Sequence, residues 1–314
     1  MKVLITGGLG FLGGRLAQFM EARGEEYEVL IATRQKIAKP QWLTSAQLLE
    51  MDWDSPTELS RICSSVDVII HLAGMNAKDS AADPVGALQF NAVATARLLK
   101  EAITAGVKKF IYFSTAHVYA SSLVSVITEE TCPSSLHPYA TSHLAAENVV
   151  REAHARGVIE GTVIRLSNAY GPPAHKDVNC WTLLVNDLCR QAITNHAMIL
   201  KSSGLQRRDF VSITDVCRAT VHLLHRTLKD SDKIIFNVGG NWAPTVLEMA
   251  KIIQERCEQV HGFRPALTSN SPALNEKSND LNYLTNALIE NGFIPSLYNC
   301  NEIDQLLSFC KIFF

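Results

Sequence analysis

Short apolar runs alternate with segments of helical hydrophobic spacing along most of the chain. Runs rich in β-branched and aromatic residues predict seven strands, at 1–6, 27–33, 48–53, 66–74, 109–114, 161–166 and 233–238. Between and after them, helical spacing predicts helices near 15–20, 55–64, 86–105, 139–156, 214–228, 245–260 and 286–291. Strands that alternate with helices of this length predict an α/β fold, a Rossmann-type doubly wound parallel sheet with ligands at the carboxyl ends of its strands.

The first strand passes straight into a glycine-rich turn, GGLGFLGG at 7–14, and then into a helix. Gly7 can supply the positive φ of a tight turn, Gly10 can let the backbone approach a pyrophosphate, and Gly13 can let the helix pack against the strand. The helix would direct its free N–H groups at the anion. The turn and its flanks predict a dinucleotide site, although glycines also cluster in ordinary turns.

The end of the second strand bears on the choice of cofactor. An NAD-binding unit usually carries an acidic residue about 20 residues beyond the glycine turn, where it binds the ribose 2′-hydroxyl. Here the position holds Thr33 and Arg34, and the Arg34 guanidinium could pair with a 2′-phosphate. We therefore predict a preference for NADP(H), with NAD(H) as the other candidate. The alternative is a solvated arginine in a turn.

Composition and charge narrow the class of protein. The 314 residues are 47% hydrophobic and 19% charged, with a formal net charge of −2, which is typical of a globular protein. This charge gives no electrostatic footprint for nucleic acid or an anionic membrane. No apolar stretch approaches the roughly 20 residues that span a bilayer. We therefore expect neither nucleic acid nor a membrane as a partner.

The cysteines and the N-terminus indicate the compartment. Eight cysteines are scattered without C-x-x-C or zinc-type spacing, and the histidines match no common ligand set, so we predict no metal site. The strand pattern begins at once and leaves no room for a signal peptide. We expect a cytoplasmic protein with reduced thiols.

An ordered set of motifs runs through nearly the whole chain. Its members are TGGLGFLG at 6–13, Asp52, HLA at 71–73, FSTAHVY at 113–119, Tyr139-x-x-x-His143, RLSNAYGP at 165–172, RDFV at 208–211 and FNVGG at 236–240. In this set the chain resembles the extended short-chain dehydrogenase/reductases, the NAD(P)-dependent epimerase/dehydratase family that acts mostly on nucleotide sugars. The resemblance implies a nucleotide-sugar substrate and a homodimer formed through the helices at about 86–105 and 139–156.

The resemblance also implies roles for individual residues. Thr115 would hydrogen-bond the substrate oxygen, and Tyr139 would be the acid/base. Asn168 and Arg208 would contact the nucleotide diphosphate, to which a guanidinium can donate two hydrogen bonds. By themselves, Arg207-Arg208-Asp209 would indicate a surface charge cluster with an internal ion pair. The cofactor would contact Gly7, Gly10, Phe11, Leu12, Gly13, Arg34, Asp52, Leu72, Ala73, Tyr139 and His143.

One element of the family pattern is replaced. The family usually has a lysine four residues after the tyrosine, and this chain has His143. Residues i and i+4 share a helix face, so Tyr139 and His143 could both reach the nicotinamide ribose. A lysine would also lower the pKa of the tyrosine. A neutral histidine donates one hydrogen bond but carries no charge. An imidazolium could supply both the hydrogen bond and the positive charge, but it is populated chiefly below about pH 6.5.

The residues after Thr115 bear on the reaction. Some dehydratases of the family carry Asp-Glu there, which handle the elimination of water, and this chain has Ala116 and His117. A 4,6-dehydratase is therefore disfavoured, and hydride transfer remains. We expect His117 to be packed or exposed to solvent rather than functional.

Together these residues predict an NADPH-dependent 4-ketoreductase of a nucleotide-linked deoxy-keto sugar. A reductase starts from a protonated tyrosine, so it depends less on the lost lysine than the oxidative direction does. The alternatives are an epimerase that retains its cofactor and, because of His143, a catalytically silent binding protein. We expect a Rossmann domain at 1–167, which includes the catalytic threonine and tyrosine. A smaller, mainly substrate-binding region would follow at 168–314, from which 209–240 returns to the sheet.

Overall fold

A parallel sheet of seven strands forms the centre of the protein. The structure is a computed structural model that describes residues 1–226, 233–274, 276–296 and 300–314. The strands in these ranges are β1 (Lys2–Thr6), β2 (Glu28–Thr33), β3 (Gln47–Glu50), β4 (Val68–His71), β5 (Lys109–Thr115), β6 (Ser125–Ile127), β7 (Glu160–Leu166), β8 (Asn168–Tyr170), β9 (Ala197–Ile199), β10 (Phe210–Ser212), β11 (Ile235–Val238), β12 (Ala266–Thr268) and β13 (Leu281–Tyr283). The sheet has the order β11-β7-β5-β4-β1-β2-β3, and all its neighbouring strands are parallel. The predicted doubly wound α/β fold is confirmed.

Helices cover both faces of this sheet. They are α1 (Phe11–Glu21), α2 (Pro56–Cys63), α3 (Ala77–Ala82), α4 (Pro84–Ala87), α5 (Ala94–Thr104), α6 (Pro138–Ala155), α7 (Leu184–Asn195), α8 (Ile213–His225), α9 (Val246–His261), α10 (Asn286–Glu290) and α11 (Cys300–Phe313). Apolar side chains of α1 and α8 pack on one face, and those of α2, α5 and α6 pack on the other. A π-helical turn at Leu88–Val93 joins α4 to α5, so the helix predicted near 86–105 is one continuous stretch. Helix α8 ends at His225; positions 227 and 228 of its prediction lie outside the described residues.

The C-terminal part builds a separate apolar core beside the sheet. Side chains of α7, α9 and α11 form this core, and the short two-stranded pairings β8-β10 and β9-β12 contribute to it. The pairing β6-β13 packs instead against the turn after β5 in a smaller apolar cluster. Within the segment 209–240, β10 pairs with β8, and β11 pairs with β7 at the edge of the main sheet. The segment thus reaches the sheet through β11, while the boundary at 167 stays a prediction.

A buried ion pair ties α6 to the centre of the sheet. Arg165 on β7 donates to Glu147 on α6 with Nη2 2.7 Å from Oε2, and the two side chains are 2% and 0% exposed. Ser114 on β5 donates to the same carboxylate. The guanidinium also lies 4.7 Å from the ring centre of Tyr119. Every charged group in this cluster therefore has partners, which a buried pair requires if it is not to be destabilising.

Replacing Glu147 should test this anchor. Glu147→Gln leaves the Arg165 charge buried without its counter-ion, so we expect the free energy of unfolding to fall by about 3–5 kcal/mol. The matched control is Glu152→Gln on the same helix, whose partner Arg156 is 65% exposed; there we expect a change below about 1 kcal/mol. Urea unfolding followed by circular dichroism measures both. Equal losses in the two variants would contradict the special role of the buried pair.

Candidate active site

The turn between β1 and α1 has positions where any side chain would clash with the backbone. Gly7 has a φ of +71°, and a Cβ there would lie 2.8 Å from the backbone N of Ala73. A Cβ on Gly13 would lie 2.3 Å from the carbonyl O of Gly7, so a side chain would push α1 away from the turn. Gly10, the N-cap of α1, brings no side chain to the N–H groups of the first helical turn. These N–H groups and the helix dipole suit the pyrophosphate of a dinucleotide.

Two adjoining cavities open over this turn at the carboxyl edge of the sheet. The β2-side cavity has a volume of about 740 Å³ and the β5-side cavity one of about 500 Å³. Both are lined by Gly7, Gly10, Leu72 and Gly74, so they form one continuous cleft. Among the residues predicted for the site, the β2-side cavity adds Arg34 and Ala73, and the β5-side cavity adds Phe11, Leu12, Gly13, Thr115, Tyr139, His143, Asn168 and Arg208.

Arg34 lies at the outer end of the β2-side cavity. Its side chain is exposed, and its guanidinium carbon stands 5.0 Å from the ring centre of Phe90, within the range of a cation–π contact. In the described ranges no carboxylate pairs with Arg34, whereas the neighbouring Lys36 pairs with Glu50 at 3.4 Å. The Arg34 guanidinium is therefore available to a phosphate in this cavity.

Asp52 occupies a different position from the other predicted cofactor residues. Its side chain is exposed and caps a turn, with Oδ1 accepting a hydrogen bond from the backbone N of Asp54 at 3.0 Å. Its neighbours Met51 and Trp53 line the β2-side cavity instead. The strand end reaches the cleft through these two side chains, because alternate residues of an extended segment point to opposite sides.

Thr115, at the end of β5, lies beside Tyr139 in the first turn of α6. Burial raises the pKa of the Tyr139 phenol, and a hydrogen bond with the Thr115 hydroxyl opposes part of that rise. The imidazole of His143 follows one helical turn later, with its ring centre 4.5 Å from that of Tyr139. The structure thus brings the three predicted catalytic side chains to one wall of the β5-side cavity.

His143 is held in its neutral form. Its Nδ1 lies 2.7 Å from the hydroxyl of Tyr112, and burial lowers the pKa of the imidazole to about 4. The other edge of the ring faces Gly74, where a Cβ would lie 3.7 Å from Nε2. Of the two states that the sequence left open, the structure favours the neutral one, which can donate a hydrogen bond but brings no charge to Tyr139.

Arg208 and Asn168 line the side of the β5-side cavity that faces away from the glycine turn. Asn168 is fixed by a hydrogen bond from Nδ2 to the carbonyl O of Asp209 at 2.8 Å. In the described ranges no ion pair links Arg208 to Asp209; Arg207 instead contacts Glu248 at 3.5 Å. The predicted alternative of an internal ion pair is thus absent from the described residues, and the Arg208 guanidinium faces the cavity.

Asp209 is turned into the protein. It accepts hydrogen bonds from the hydroxyl of Ser167 and from the backbone N of Gly240 and Trp242. Burial raises its pKa to about 6, although these donors oppose the rise. The carboxylate therefore fixes the loop after β11 against β8 and β10, which leaves the preceding arginine as the charged group of the cavity.

Several residues that line the cleft were not predicted as site residues from the sequence. His117, expected to be packed or exposed to solvent, is exposed towards the β5-side cavity. Across the β2-side cavity the rings of Trp42 and His175 stack with centres 5.5 Å apart. The loops before α3 and α7, with the first residues of these helices, add Met75, Asn76, Ala77, Thr182, Leu183, Leu184 and Val185. The motif order could have pointed to His117, which lies inside FSTAHVY, but no local pattern marks the loops.

Among the described residues, no three His, Cys, Asp or Glu side chains are grouped as metal ligands would be. None of the helices in the described part of the chain combines the length and apolar character that crossing a membrane requires.

Comparison with known proteins relates this cleft to a family. Residues 3–239 match the NAD dependent epimerase/dehydratase family. A mouse (Mus musculus) dTDP-D-glucose 4,6-dehydratase is 28% identical over 264 residues, covering 80% of this chain and 71% of that protein. Among solved structures, TunA, an NAD dependent NDP-hexosamine 5,6-dehydratase, is 29% identical with a TM-score of 0.77, covering 98% of this chain and 97% of the other.

The fold is also shared more widely. RMD from Pseudomonas aeruginosa, solved with NADPH, superposes with a TM-score of 0.79 over 99% of both chains at 20% identity. The family match spans more than half of the chain and includes both the glycine turn and the wall that carries Thr115 and Tyr139. The resemblance found in the motifs is thereby confirmed: the chain belongs to the NAD dependent epimerase/dehydratase family, a family of nucleotide-sugar enzymes of the extended short-chain dehydrogenase/reductase type.

Proposed function

We propose that the protein is an NADPH-dependent 4-ketoreductase of a nucleotide-linked deoxy-keto sugar. The observation that carries the proposal is the state of Tyr139, whose phenol pKa is raised by burial beside a neutral His143. A phenol in these surroundings is a proton donor at neutral pH. Reduction of a ketone needs a proton donor, whereas oxidation of an alcohol needs a base.

The side chains around Tyr139 support the reductive direction. Thr115 shares a hydrogen bond with the phenol and could hold the same carbonyl oxygen. Relatives in the family include dehydratases, but elimination of water also needs an acid next to the leaving hydroxyl. Ala116 supplies none at the position where some dehydratases carry Asp. Hydride transfer with protonation by Tyr139 needs none of the missing groups.

The cleft fits a dinucleotide cofactor along its length. The N-terminus of α1 would bind the pyrophosphate, Arg34 the 2′-phosphate, and Tyr139 and His143 the nicotinamide ribose. NADPH, when bound, supplies the hydride. On the far side of the β5-side cavity, Asn168 and Arg208 would bind the substrate's diphosphate. This arrangement supports NADP(H) over NAD(H), and the cytoplasmic location stays a prediction from the sequence.

The proposed reaction is tested by NADPH oxidation with UDP-, dTDP- and GDP-linked 4-keto-6-deoxyhexoses. We expect turnover of at least one, and loss of about 10²–10⁴-fold in kcat for Tyr139→Phe, since the proton donor is removed. The variant His143→Lys adds a cation beside the phenol and should lower the pKa of Tyr139 by about one to three units. In the reverse, oxidative direction, the rate should therefore begin to rise at a correspondingly lower pH.

The matched control is His143→Gln, which keeps a hydrogen-bond donor without adding charge. Because His143, with a pKa of about 4, is neutral over the assay range, the pH profile of His143→Gln should follow that of the natural protein. If His143→Lys creates turnover where the natural protein has none, the protein is a binding protein. Cofactor that copurifies and is reduced and reoxidised within one turnover would favour the epimerase.

Cofactor preference is tested by calorimetric titration with NADPH and NADH. We expect tighter binding of NADPH. Arg34→Ala should reduce that preference about 10- to 100-fold, because hydrogen bonds to charged groups contribute about 1.5–3 kcal/mol. Lys36→Ala removes a neighbouring cation that pairs with Glu50, and it should leave the preference unchanged. Equal effects of the two variants would indicate general electrostatic attraction and not a 2′-phosphate contact.

We also propose a homodimer formed through the continuous helix at 84–104 and α6. Apolar side chains stand exposed on the first of these, with exposed fractions of 66% for Val85, 47% for Leu88 and 44% for Val93. Sedimentation velocity should give a dimer that Leu88→Glu dissociates, since burial of a charge in an apolar contact is costly. Ile199→Glu, at an exposed apolar residue on β9, should remain dimeric. A monomeric natural protein would refute this proposal.

A further inference from the structure

His117 is presented to the β5-side cavity by a short turn directly after the catalytic strand. Residues Ala116–Val118 form one turn of 3₁₀ helix, and Thr115 caps it by accepting a hydrogen bond from the backbone N of His117 at 3.2 Å. The same Thr115 hydroxyl shares a hydrogen bond with Tyr139. One side chain therefore fixes the proton donor and the turn that carries His117.

The imidazole of His117 stands beside Tyr139 without a partner of its own. The two ring centres are 6.3 Å apart in an edge-on arrangement. Throughout the described ranges, neither ring nitrogen of His117 has a hydrogen-bond partner, and the residue is exposed to the cavity. By contrast, His143 is hydrogen-bonded to Tyr112, and the buried His71 is hydrogen-bonded to Thr6 and Thr95.

The charges around His117 keep its lone pair available. Its position inside the cavity, where it is partly shielded from bulk water, lowers the pKa of the imidazole, and the nearby Arg208 cation and His137 lower it further. Tyr139 is the other titratable group that faces it, and it is protonated. The ring is therefore mainly neutral at physiological pH, and a neutral imidazole has a ring nitrogen that can accept a proton.

We propose that His117 is a catalytic base that removes a proton from the carbon next to the keto group of the substrate. The inference rests on the proposed function, because it takes a nucleotide-linked 4-keto sugar as the molecule bound. A carbonyl held by Thr115 and Tyr139 would bring the adjoining ring carbon towards His117, on the same wall. The protein would then change the configuration at that carbon, or exchange its hydrogen, as well as reduce the ketone.

The step involves proton transfers only. A ring nitrogen of His117 forms an N–H bond as the C–H bond breaks, and the bonding pair becomes the C=C bond of an enolate. The carbonyl oxygen takes the negative charge and is stabilised by the hydroxyls of Thr115 and Tyr139. Return of a proton to carbon restores the ketone. The enolate is reprotonated and water is not eliminated. An enolate towards C5 of a 6-deoxy sugar has no hydroxyl at C6 to lose, and for an enolate towards C3 Ala116 offers no acid to the C2 hydroxyl.

Deuterium exchange separates this step from reduction. The 4-keto-6-deoxyhexoses of the assay panel are incubated in D₂O with the enzyme and NADP⁺, so that no hydride is available, and deuterium at C3 and C5 is followed by NMR and mass spectrometry. We expect exchange well above the enzyme-free rate. In His117→Gln it should fall about 10²-fold or more, the range of a lost general base, and by a much larger factor than the rate of NADPH oxidation does.

The control is His225→Gln, the same change at a histidine that contacts Tyr27 and Glu26 away from the cleft; it should alter neither rate. Equal thermal stability of the variants excludes misfolding. Reduction by the natural protein without exchange would overturn the role of His117 and leave the reductase standing. Exchange without reduction would overturn the reductase instead. An equal loss of both rates in His117→Gln would make His117 a binding residue and overturn its role as base.

Discussion

The buried ion pair between Glu147 and Arg165 is the constraint on which the geometry of the catalytic wall depends. Helix α6 carries Tyr139, His143 and Glu147 at intervals of four residues, so one helix face runs from the cavity into the core. At the core end, Arg165 on β7 and Ser114 on β5 hold the carboxylate. Since Ser114 directly precedes Thr115, the contact that anchors the helix also fixes the spacing between the two hydroxyls that would hold a carbonyl oxygen.

The cleft separates its positive charges from its proton-transfer groups. Arg34 stands at one end and Arg208 at the other, where the phosphates of a cofactor and of a nucleotide substrate would lie. Between them the imidazole of His143 is neutral, because burial lowers its pKa to about 4. A cation at position 143 would favour the phenolate of Tyr139. Its replacement by a neutral ring favours the phenol, which is the state that the proposed reduction needs.

Members of one family with one fold can differ in reaction through a few positions of this wall. In this chain the distinctive positions are Ala116, His117 and His143, and all three follow Thr115 or Tyr139 by four residues or fewer. Ala116 stands where some dehydratases carry an acid, His117 brings a neutral imidazole, and His143 stands where the family usually has a cation. The fold therefore sets where the carbonyl and the cofactor lie, while these side chains decide which protons can move.

The sequence by itself determined the α/β class, the seven strands of the sheet, the glycine turn and the family, because these depend on local patterns: hydrophobic period, backbone conformations open only to glycine, and motifs in fixed order. It also placed Tyr139 and His143 on one helix face. It could not decide the charge of His143, since the pKa depends on burial and on Tyr112, a residue of a different element. It could not place His117 in the cavity, nor turn Asp52 away from it, because strand ends and turns are aimed by the packing around them. The loops that close the cleft, such as those of Trp42 and His175, meet only in the folded chain, so only the tertiary structure could show them.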